Sequence, residues 1–294
     1  MGCVMDVDTD VVICNDVNAL PICMALKENT GVKLVLDLHE YAVDDSPLNV
    51  YHQKYISPMW DYFLKKHLME VDAFMTVCNA ISDRYFTEYG RESVVVTNAP
   101  AYEDFSPTPV NGDQIRMIHH GGAMRGRGIE NMIHLMDGLG EKFHLTLMLV
   151  SNSRSYLREL KSLAAVKPNV TIIDPVPTRE ISAKINPYDI GLYMLPANCL
   201  NNEYALPNKF FEFIQGRLAI CVWPSREMAH IINQEGCGKC SEDFTPESMR
   251  VMLNSLDNQQ IETMKAESHR LASKLCFEKN AVILREILAE VLEK

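Results

Sequence analysis

The 294-residue sequence lacks the features that mark several large classes of protein. It shows no signal peptide, no apolar run long enough to cross a bilayer, no low-complexity segment and no short repeat. Its formal net charge of −11 argues against a basic surface that binds nucleic acid. Any phosphate that the protein binds must therefore meet a local positive site. We expect a cytoplasmic protein, with peripheral contact to the inner face of the membrane left open.

The sequence also gives little sign of a metal site, although it contains nine cysteines. Most lie inside apolar runs, as Cys14, Cys78 and Cys221 do, where a buried thiol behaves as a small hydrophobic group. Cys237 and Cys240 form a single C-x-x-C pair, without a second pair or histidines at metal-ligand spacing. We therefore interpret this pair as part of a glycine-rich turn, and the cysteine pattern as that of a reducing compartment.

The first hundred residues alternate between apolar runs and helical patterns. The apolar runs predict strands at 10–16, 32–38, 73–78 and 94–97. Helices are predicted between them, at 19–28, around 60–68 and at 80–89. Continuous apolar strands that alternate with helices are typical of a parallel sheet covered on both faces. Ligands bind beyond the carboxyl ends of such strands, and Asp16, His39 and Asn98 fall there.

His39 has two interpretations. At a strand end, a histidine can hydrogen-bond a substrate hydroxyl near neutral pH. It can equally be held there by hydrogen bonds and have no chemical role. The adjacent Glu40 either orients the imidazole or faces solvent, and the sequence leaves both alternatives open.

A second α/β unit follows a segment rich in proline, serine, asparagine and glycine, residues 101–112, which predicts an interdomain linker. Strands are predicted at 114–120, 144–150, 170–173, 190–195 and 218–223, with helices between them. Further helical patterns cover 246–253 and 261–275. The last predicted helix, 281–292, is amphipathic, and its apolar side contains Val282, Ile283, Ile287, Leu288 and Val291.

A glycine-rich loop with two arginines follows the first strand of this second unit. Gly121 and Gly122 begin the loop, and a helical pattern starts at Ile129. Glycines let backbone N–H groups approach a phosphate, and Arg125 and Arg127 can add charge-assisted hydrogen bonds. The loop lacks the G-x-G-x-x-G pattern of dinucleotide-binding folds. The alternative is a plain strand-to-helix turn with solvated arginines.

A short helix is predicted at about 209–215, after a polar loop at 196–202. Pro207 and Asn208 mark its start, with Asn208 as the predicted cap. Lys209 and Glu212 lie three residues apart and share one face. A lysine in the first turn suits a diphosphate, and a carboxylate one turn later can accept two hydrogen bonds from a ribose. The alternative is a surface helix with an exposed Lys–Glu pair.

Taken in order, these motifs resemble family 4 retaining glycosyltransferases. The resemblance covers nearly the whole chain and rests on segments 36–41, 96–100, 121–130, 189–192, 207–213 and 235–238. It implies the GT-B fold, which has two Rossmann-like domains with parallel sheets. The expected parts are an acceptor-side domain at 1–105, a nucleotide-sugar-binding domain at 113–275, and a C-terminal helix at 276–294 that packs back toward the first domain.

The resemblance also implies roles for individual residues. Arg127 and Lys209 take the places of the basic residues that hold the donor diphosphate, and His39 that of a histidine that reaches the donor sugar. These three are the predicted catalytic residues. The predicted donor-binding residues are Gly121, Gly122, Arg125, Asn208, Glu203 and Glu212. No metal and no cofactor are expected, and the implied partners are a nucleotide-sugar donor and a carbohydrate or lipid-linked acceptor.

Two departures from the family pattern stand out. The family places a glutamate eight positions before the one at Glu212, and here that position is Tyr204, with Glu203 adjacent. In addition, only four strands are predicted before Asn98. We therefore expect a shortened N-terminal domain, whether the chain is a fragment, a truncated gene product or a minimal family member.

The resulting hypothesis is a glycosyltransferase that retains the anomeric configuration. Retention is expected through front-face attack, in which the leaving phosphate takes the acceptor's proton and positioning and charge stabilisation supply the catalysis. The alternative is a non-catalytic or partner-dependent nucleotide-sugar-binding protein. A nucleotide-sugar 2-epimerase would need carboxylates and a histidine around the sugar, a pattern that we do not find. An NAD-dependent enzyme would need the absent fingerprint glycines.

Overall fold

The structure is a computed structural model that describes residues 9–44, 49–110 and 112–293. The chain folds into two units. The first contains the described residues up to Asn98, the segment Asn198–Leu206 and the chain from Glu278 onward. The second contains Ala99–Ala197 and Pro207–Phe277. Each unit has its own parallel sheet, so the predicted α/β fold class with two parallel sheets is confirmed.

The elements alternate along the chain. In chain order, the strands are β1 (Val11–Asn15), β2 (Lys33–Leu38), β3 (Ala73–Thr76), β4 (Val94–Val95), β5 (Ile115–Gly122), β6 (Phe143–Val150), β7 (Val170–Ile173), β8 (Ile190–Tyr193), β9 (Ala219–Val222) and β10 (Gly238–Cys240). The α-helices are α1 (Leu20–Thr30), α2 (Ser57–His67), α3 (Asn79–Tyr89), α4 (Ile129–Leu135), α5 (Arg154–Ala165), α6 (Ile181–Ile185), α7 (Leu200–Glu203), α8 (Asn208–Gln215), α9 (Arg226–Glu235), α10 (Pro246–Asn254), α11 (Asn258–Ala272) and α12 (Phe277–Glu293).

The first unit has a four-stranded sheet in the order β1-β2-β3-β4. Helix α12 packs on it, where Ile287 and Val291 form a buried cluster with Val35 and Met75. Val282, which we predicted on the apolar side of this helix, is 48% exposed. The prediction was wrong for Val282 because the buried stripe of α12 is narrow. Ile287 and Val291 are four residues apart and lie in one row along the helix, and Val282 lies beside that row.

The second unit has a six-stranded sheet in the order β10-β9-β8-β5-β6-β7. Consecutive strands therefore run outward from β5 in one direction and from β8 in the other, so the strand order reverses between β5 and β8. Apolar side chains from the strands and from α4, α5, α10 and α11 fill one large buried cluster. In open α/β sheets, ligands bind at such a reversal point, outside the carboxyl ends of the strands.

A buried charge cluster joins β5 to β8 at their amino ends. Asp189 has no exposed surface and accepts hydrogen bonds from the Arg116 backbone N–H at 2.8 Å and from the Arg116 guanidinium at 3.1 and 3.2 Å. Lys265 is also buried, and its Nζ lies 3.6 Å from Asp189 Oδ1 and 2.7 Å from the Tyr188 carbonyl. Every charge in this cluster therefore has a partner.

Residues 99–110 contain no helix or strand but belong to the second unit. The fully buried Arg217 anchors them, since its Nε donates to the Phe105 carbonyl at 3.1 Å. The backbone N–H of Glu103 donates to the Gln215 side chain at 3.1 Å. This part of the expected linker is therefore held by hydrogen bonds to the end of α8 and the residues that follow it.

Three local predictions were wrong. Asn208 does not cap α8: Pro207 has the extended backbone of the cap position, so Asn208 is already helical. Cys237 and Cys240 do not form a turn, because Gly236 has already ended α9 and the next residues pair with β9 as strand β10. The polar loop at 196–202 contains the start of α7, whose Leu200 N–H donates to Asp44 at 2.7 Å.

Candidate functional site

The candidate site of the second unit lies at the carboxyl ends of β5 and β8, where the strand order reverses. Gly121 and Gly122 end β5, and Tyr193 ends β8. Helix α8 begins with Asn208 and Lys209, after Pro207. Its free N–H groups and its dipole favour an anion at that end. The fold therefore places a helix start and two glycines in the region where α/β sheets bind ligands.

Lys209 reaches the end of β5. A Cβ atom built on Gly121 would lie 3.3 Å from Lys209 Nζ, and Gly121 has a positive φ of 126°. A side chain at this position would therefore be strained and would crowd the ammonium group. The glycine allows the cation to approach the β5 backbone, which connects two motifs that lie almost ninety residues apart in the sequence.

Two cations and an aromatic ring surround this point. Lys209 Nζ lies 4.1 Å from the centroid of the Tyr193 ring. Burial and, to a smaller extent, the charge of Arg127 lower the pKa of Lys209 to about 7, although Glu212 opposes the shift. Burial raises the pKa of Tyr193, whereas the charge of Arg127 and its hydrogen bond lower it. Arg127 and Lys209 therefore lie close together, and like charges so close favour binding of an anion.

Glu212 lies one turn after Lys209 and is 7% exposed. Burial raises its pKa to about 7, although the charge of Lys209 lowers it. Its Oε2 lies 3.6 Å from His120 Nε2, and this buried imidazole nitrogen has no hydrogen-bond partner among the described residues. Burial and Lys209 lower the pKa of His120 to about 3, so the ring is neutral at pH 7. A buried carboxylate with so few donors can accept hydrogen bonds from a ligand.

The loop before α4 also approaches β8. Gly128 immediately precedes α4 and has a positive φ of 74°. A Cβ atom here would lie 2.1 Å from the Met194 carbonyl oxygen, so only glycine fits without movement of the backbone. This contact brings the loop that carries Arg127 next to the end of β8, and thus next to Tyr193.

The other predicted residues of this unit lie in different surroundings. The Arg125 guanidinium pairs with Glu159 of α5, 3.3 Å from its Oε1, and lies 4.6 Å from the Tyr156 ring centroid. Asn208 is exposed in the first turn of α8. Gly122 is exposed at the end of β5. The donor-binding roles of these residues stay predictions.

His39 belongs to the first unit and lies just after β2. Its Nε2 is 3.0 Å from Asp37 Oδ2, and this hydrogen bond raises the pKa of His39 although burial opposes the rise. A cavity of about 370 Å³ is lined by His39, Asp16, Val17, Asn18, Glu40, Ala42 and Trp60. Asp37 is thus a residue that holds the imidazole, and the catalytic role of His39 stays a prediction.

Glu203 also lies in the first unit, exposed at the end of α7. Asn201 fixes this short helix, since its side chain accepts from the Tyr41 N–H at 2.8 Å and donates to the Tyr41 and Asp44 carbonyls at 3.2 Å. The segment therefore folds against the residues that follow β2. The predicted donor-binding role of Glu203 stays a prediction.

Sequence reasoning missed several groups at these sites. His119 stacks on Tyr193 with ring centroids 5.8 Å apart, and its Nδ1 lies 3.0 Å from the Leu192 carbonyl. His120 and Tyr193 were the strand residues next to the motifs that we named, and Asp37 lies near the end of β2, two residues before His39. Among the described residues, no three His, Cys, Asp or Glu side chains are grouped to hold a metal ion.

The described chain also has no helix that is both long and apolar enough for a membrane span. Neither a protein-family model nor a curated protein matches the sequence. Solved structures do resemble it. They include TarM from S. aureus, a mutant of which was solved with fondaparinux, alpha-GlcNAc-glycerol and UDP, at 8% identity and a TM-score of 0.73 over 97% of this chain. The chain spans only 55% of the length of TarM.

Two further structures have the same fold. HepE from Anabaena, solved with UDP, is 12% identical, with a TM-score of 0.76 over 95% of this chain and 78% of HepE. WaaG, a glycosyltransferase involved in lipopolysaccharide biosynthesis, is 14% identical, with a TM-score of 0.64 over 89% of this chain and 80% of WaaG. At these identities the likeness shows the fold alone, and that fold is GT-B, with two Rossmann-like domains.

Proposed function

We propose that the protein is a glycosyltransferase whose second unit binds the diphosphate and ribose of a nucleotide-sugar donor. One observation carries the proposal. Lys209, in the first turn of α8, lies beside Gly121 at the strand reversal, next to Arg127. Within the described residues, neither cation forms an ion pair with a carboxylate. Two neighbouring cations that form no ion pair at a helix start fit a ligand that carries two negative phosphates.

Glu212 supports a nucleotide rather than a simple diphosphate. It lies one turn further into α8, so a ligand whose phosphates meet Lys209 can extend a ribose toward it. The carboxylate is buried and accepts no hydrogen bond from the described residues, and its Oε2 lies 3.6 Å from the neutral His120. Two ribose hydroxyls would supply the hydrogen bonds that the ionised carboxylate lacks in the free protein.

The proposed chemistry needs no protein nucleophile. Arg127, Lys209 and the α8 N-terminus stabilise the negative charge that develops on the leaving diphosphate. The acceptor attacks from the face that the diphosphate leaves, and a phosphate oxygen takes the acceptor's proton, so the anomeric configuration is retained. The donor is the only co-substrate besides the acceptor, and no metal or other cofactor takes part.

The test begins with the donor. HepE has been solved with UDP and with UDP-glucose, which makes UDP the first ligand to titrate by calorimetry and UDP-glucose the first donor to assay. We expect UDP to bind and UDP-sugar to be turned over, either by transfer or by slow hydrolysis. Arg127→Ala should reduce turnover about 100-fold, as loss of one charge-stabilising donor does in other enzymes.

Lys161→Ala is the matched control. Lys161 is an exposed cation on α5 of the same unit, so its removal changes net charge equally and should leave turnover intact. Near-normal turnover in Arg127→Ala would contradict the phosphate role. UDP binding without turnover across a panel of donors and acceptors would instead favour a non-catalytic nucleotide-sugar-binding protein. The anomeric signal of the product, measured by NMR, tests retention.

A further inference from the structure

We propose that His120 is a positioning residue for ribose recognition: its imidazole Nε2 holds the Glu212 carboxylate in the orientation that accepts both hydroxyls of the donor ribose. This role rests on the proposed function, because Glu212 must meet the ribose before His120 can position it. It assigns a task to a strand residue that lies behind the carboxylate and does not touch the ligand itself.

His120 is a buried polar residue that the fold leaves partly unsatisfied. Only 2% of its surface is exposed, yet its Nε2 has no hydrogen-bond partner in the described part of the chain. The neighbouring His119 is equally buried, but its Nδ1 lies 3.0 Å from the Leu192 carbonyl. Buried polar atoms in native proteins almost always have a partner. The exception at His120 therefore indicates a hydrogen bond that forms in another state of the site.

A carboxylate oxygen faces this nitrogen. Glu212 Oε2 lies 3.6 Å from His120 Nε2, which is about 0.5 Å too long for a hydrogen bond. Glu212 is 7% exposed, and its carboxylate accepts no hydrogen bond from the residues that the structure describes. The free protein thus places two buried polar groups face to face without a hydrogen bond between them.

Packing fixes the distance between these two side chains. Phe213 follows Glu212 in α8, and its ring meets the His120 ring edge to face, with centroids 5.3 Å apart. The Phe213 ring also lies against β8, where a Cβ atom built on Gly191 would fall 2.5 Å from its Cγ. Such a close-packed interior has little room for movement. His120 and Glu212 can therefore close the gap by small side-chain rotations, but they cannot move far apart.

A neutral imidazole suits the position beside Glu212. Burial and Lys209 lower the pKa of His120 to about 3, so the ring is neutral at pH 7. A neutral ring has one N–H and one lone pair, so its Nε2 can donate to a carboxylate or accept from a carboxylic acid. Burial raises the pKa of Glu212 to about 7. His120 can thus partner both forms of Glu212 that occur near neutral pH.

A bound ribose favours the ionised form of Glu212. Its two hydroxyls donate to the carboxylate, and hydrogen bonds to the charged form stabilise that form. His120 Nε2–H then donates to Oε2 from the protein side. A carboxylate can accept about four hydrogen bonds, so the three are compatible. The bond from His120 fixes the plane of the carboxylate, and supporting hydrogen bonds of this kind hold a binding group in its productive geometry.

Calorimetry with two nucleotides tests this role. UDP and its dideoxyribose analogue differ only in the two ribose hydroxyls, so the ratio of their affinities measures what those hydroxyls contribute. We expect a ratio of at least about tenfold in the wild type. His120→Phe removes the donor and keeps an aromatic ring. It should lower the ratio to about threefold, while the analogue binds within about twofold of its wild-type affinity.

Two further variants separate positioning from packing. His120→Gln places an amide N–H near the position of Nε2 and should restore most of the wild-type affinity ratio. His67→Phe is the matched control, since His67 is also buried beside a glutamate, with its Nδ1 3.0 Å from Glu70 Oε2. His67 lies in α2 of the first unit, so its replacement should leave the affinity ratio unchanged.

NMR of the imidazole nitrogens gives a second measurement on the wild type. The His120 signals are identified by their absence from His120→Gln. In the UDP complex we expect the His120 proton on Nε2, where it faces the ionised Glu212. A proton on Nδ1 alone in that complex would overturn the positioning role.

The affinity measurements can also overturn it. An unchanged ratio in His120→Phe would show that Glu212 needs no help from His120, and an equal loss of both nucleotides would show a structural role. A wild-type ratio near one, with UDP bound, would remove the ribose contact and the positioning role together but leave the diphosphate site standing. Failure of the wild type to bind either nucleotide would instead contradict the proposed function itself, and the positioning role with it.

Discussion

The second unit contains two charge clusters at opposite ends of the same strands, each around a buried carboxylate, and they are built differently. The paired cluster, Arg116, Asp189 and Lys265, lies at the amino ends of β5 and β8, where the carboxylate meets both cations. The unpaired cluster, Arg127, Lys209, Glu212 and His120, lies at their carboxyl ends. There the two cations lie together, and among the described residues no lysine or arginine nitrogen lies within 4 Å of the carboxylate, whose Oε2 is 3.6 Å from the neutral His120 imidazole.

The difference separates a structural role from a binding role. Buried charges are tolerated when hydrogen bonds and opposite charges offset their desolvation. The paired cluster meets this condition inside the protein. The unpaired cluster does not, so burial changes the pKa values of Lys209 and Glu212, to about 7 for each. Groups so perturbed in a pocket are typical of sites whose missing partner is a ligand.

The paired cluster should give the largest change in stability. Asp189→Asn removes the carboxylate that lies between Arg116 and Lys265, and it leaves a fully buried ammonium group with no carboxylate within 4 Å among the described residues. We expect the free energy of unfolding to fall by about 3–5 kcal/mol, measured by urea denaturation. Glu88→Gln, which breaks the exposed Arg84–Glu88 pair, should lower it by less than about 1 kcal/mol. If both variants lose the same free energy of unfolding, the Asp189 cluster contributes no more to stability than an exposed ion pair.

Much of this comparison could have been predicted from the sequence, but not all of it. The two α/β units followed from apolar runs, and the glycine loop and Lys209 followed from their local patterns. Local patterns could not show that Lys209 reaches Gly121, because that contact depends on which strands are neighbours. The same limit applies to Arg125 and Arg127. Both lie in one loop, and only the path of the backbone decides which guanidinium faces Lys209 and which faces Glu159.

The first unit shows the same limit. His39 could be placed at a strand end from the sequence, yet its partner is Asp37 and not the adjacent Glu40 that we considered. Period two along a strand puts Asp37 and His39 on one side, so this pairing was open to prediction. The short helix α7 was not, because backbone groups after β2 hold its Asn201 side chain from about 160 residues away.

The unpaired cluster should respond to mutation in the opposite way. Lys209→Met removes a cation that the fold does not pair, so the free energy of unfolding should stay the same or rise. UDP affinity should fall at least tenfold, because the ammonium supplies a charge-assisted bond to phosphate. Calorimetry and urea denaturation on the same preparation measure both effects. Destabilisation as large as that of Asp189→Asn would show that Lys209 holds the fold together.

The pH dependence of stability gives a smaller effect with a defined sign. Burial raises the pKa of Glu212 from 4.5 to about 7, so folding disfavours its ionised form. Its contribution to stability is present below pH 4.5 and is lost as the pH rises to about 7. Glu212→Gln removes this loss. The difference in unfolding free energy, variant minus wild type, should therefore increase between pH 4.5 and 7.

Lys209 should make stability depend on pH over the range above that of Glu212. Burial lowers its pKa from 10.5 to about 7, so folding disfavours the ammonium and wild-type stability rises between pH 7 and 10.5. Lys209→Met should lack this rise. Four other ionisable groups lie around the same point, namely His119, His120, Tyr193 and Arg127. Contributions to the free energy of unfolding that are the same in variant and wild type cancel in the difference between the two proteins. If the difference in unfolding free energy between Glu212→Gln and wild type does not change between pH 4.5 and 7, the raised pKa of Glu212 would be contradicted.

The smallest expected effect distinguishes the two loop arginines. Arg125 pairs with Glu159 on the exposed side of α5, with both side chains largely in solvent. Arg125→Ala should therefore lower the free energy of unfolding by less than about 1 kcal/mol and change UDP affinity by a factor of about two. Arg127→Ala, at equal charge change in the same loop, should weaken UDP binding at least tenfold. If the two variants lose equal affinity, the Arg125–Glu159 pair must open when the donor binds, and the donor-binding role predicted for Arg125 from the sequence would stand.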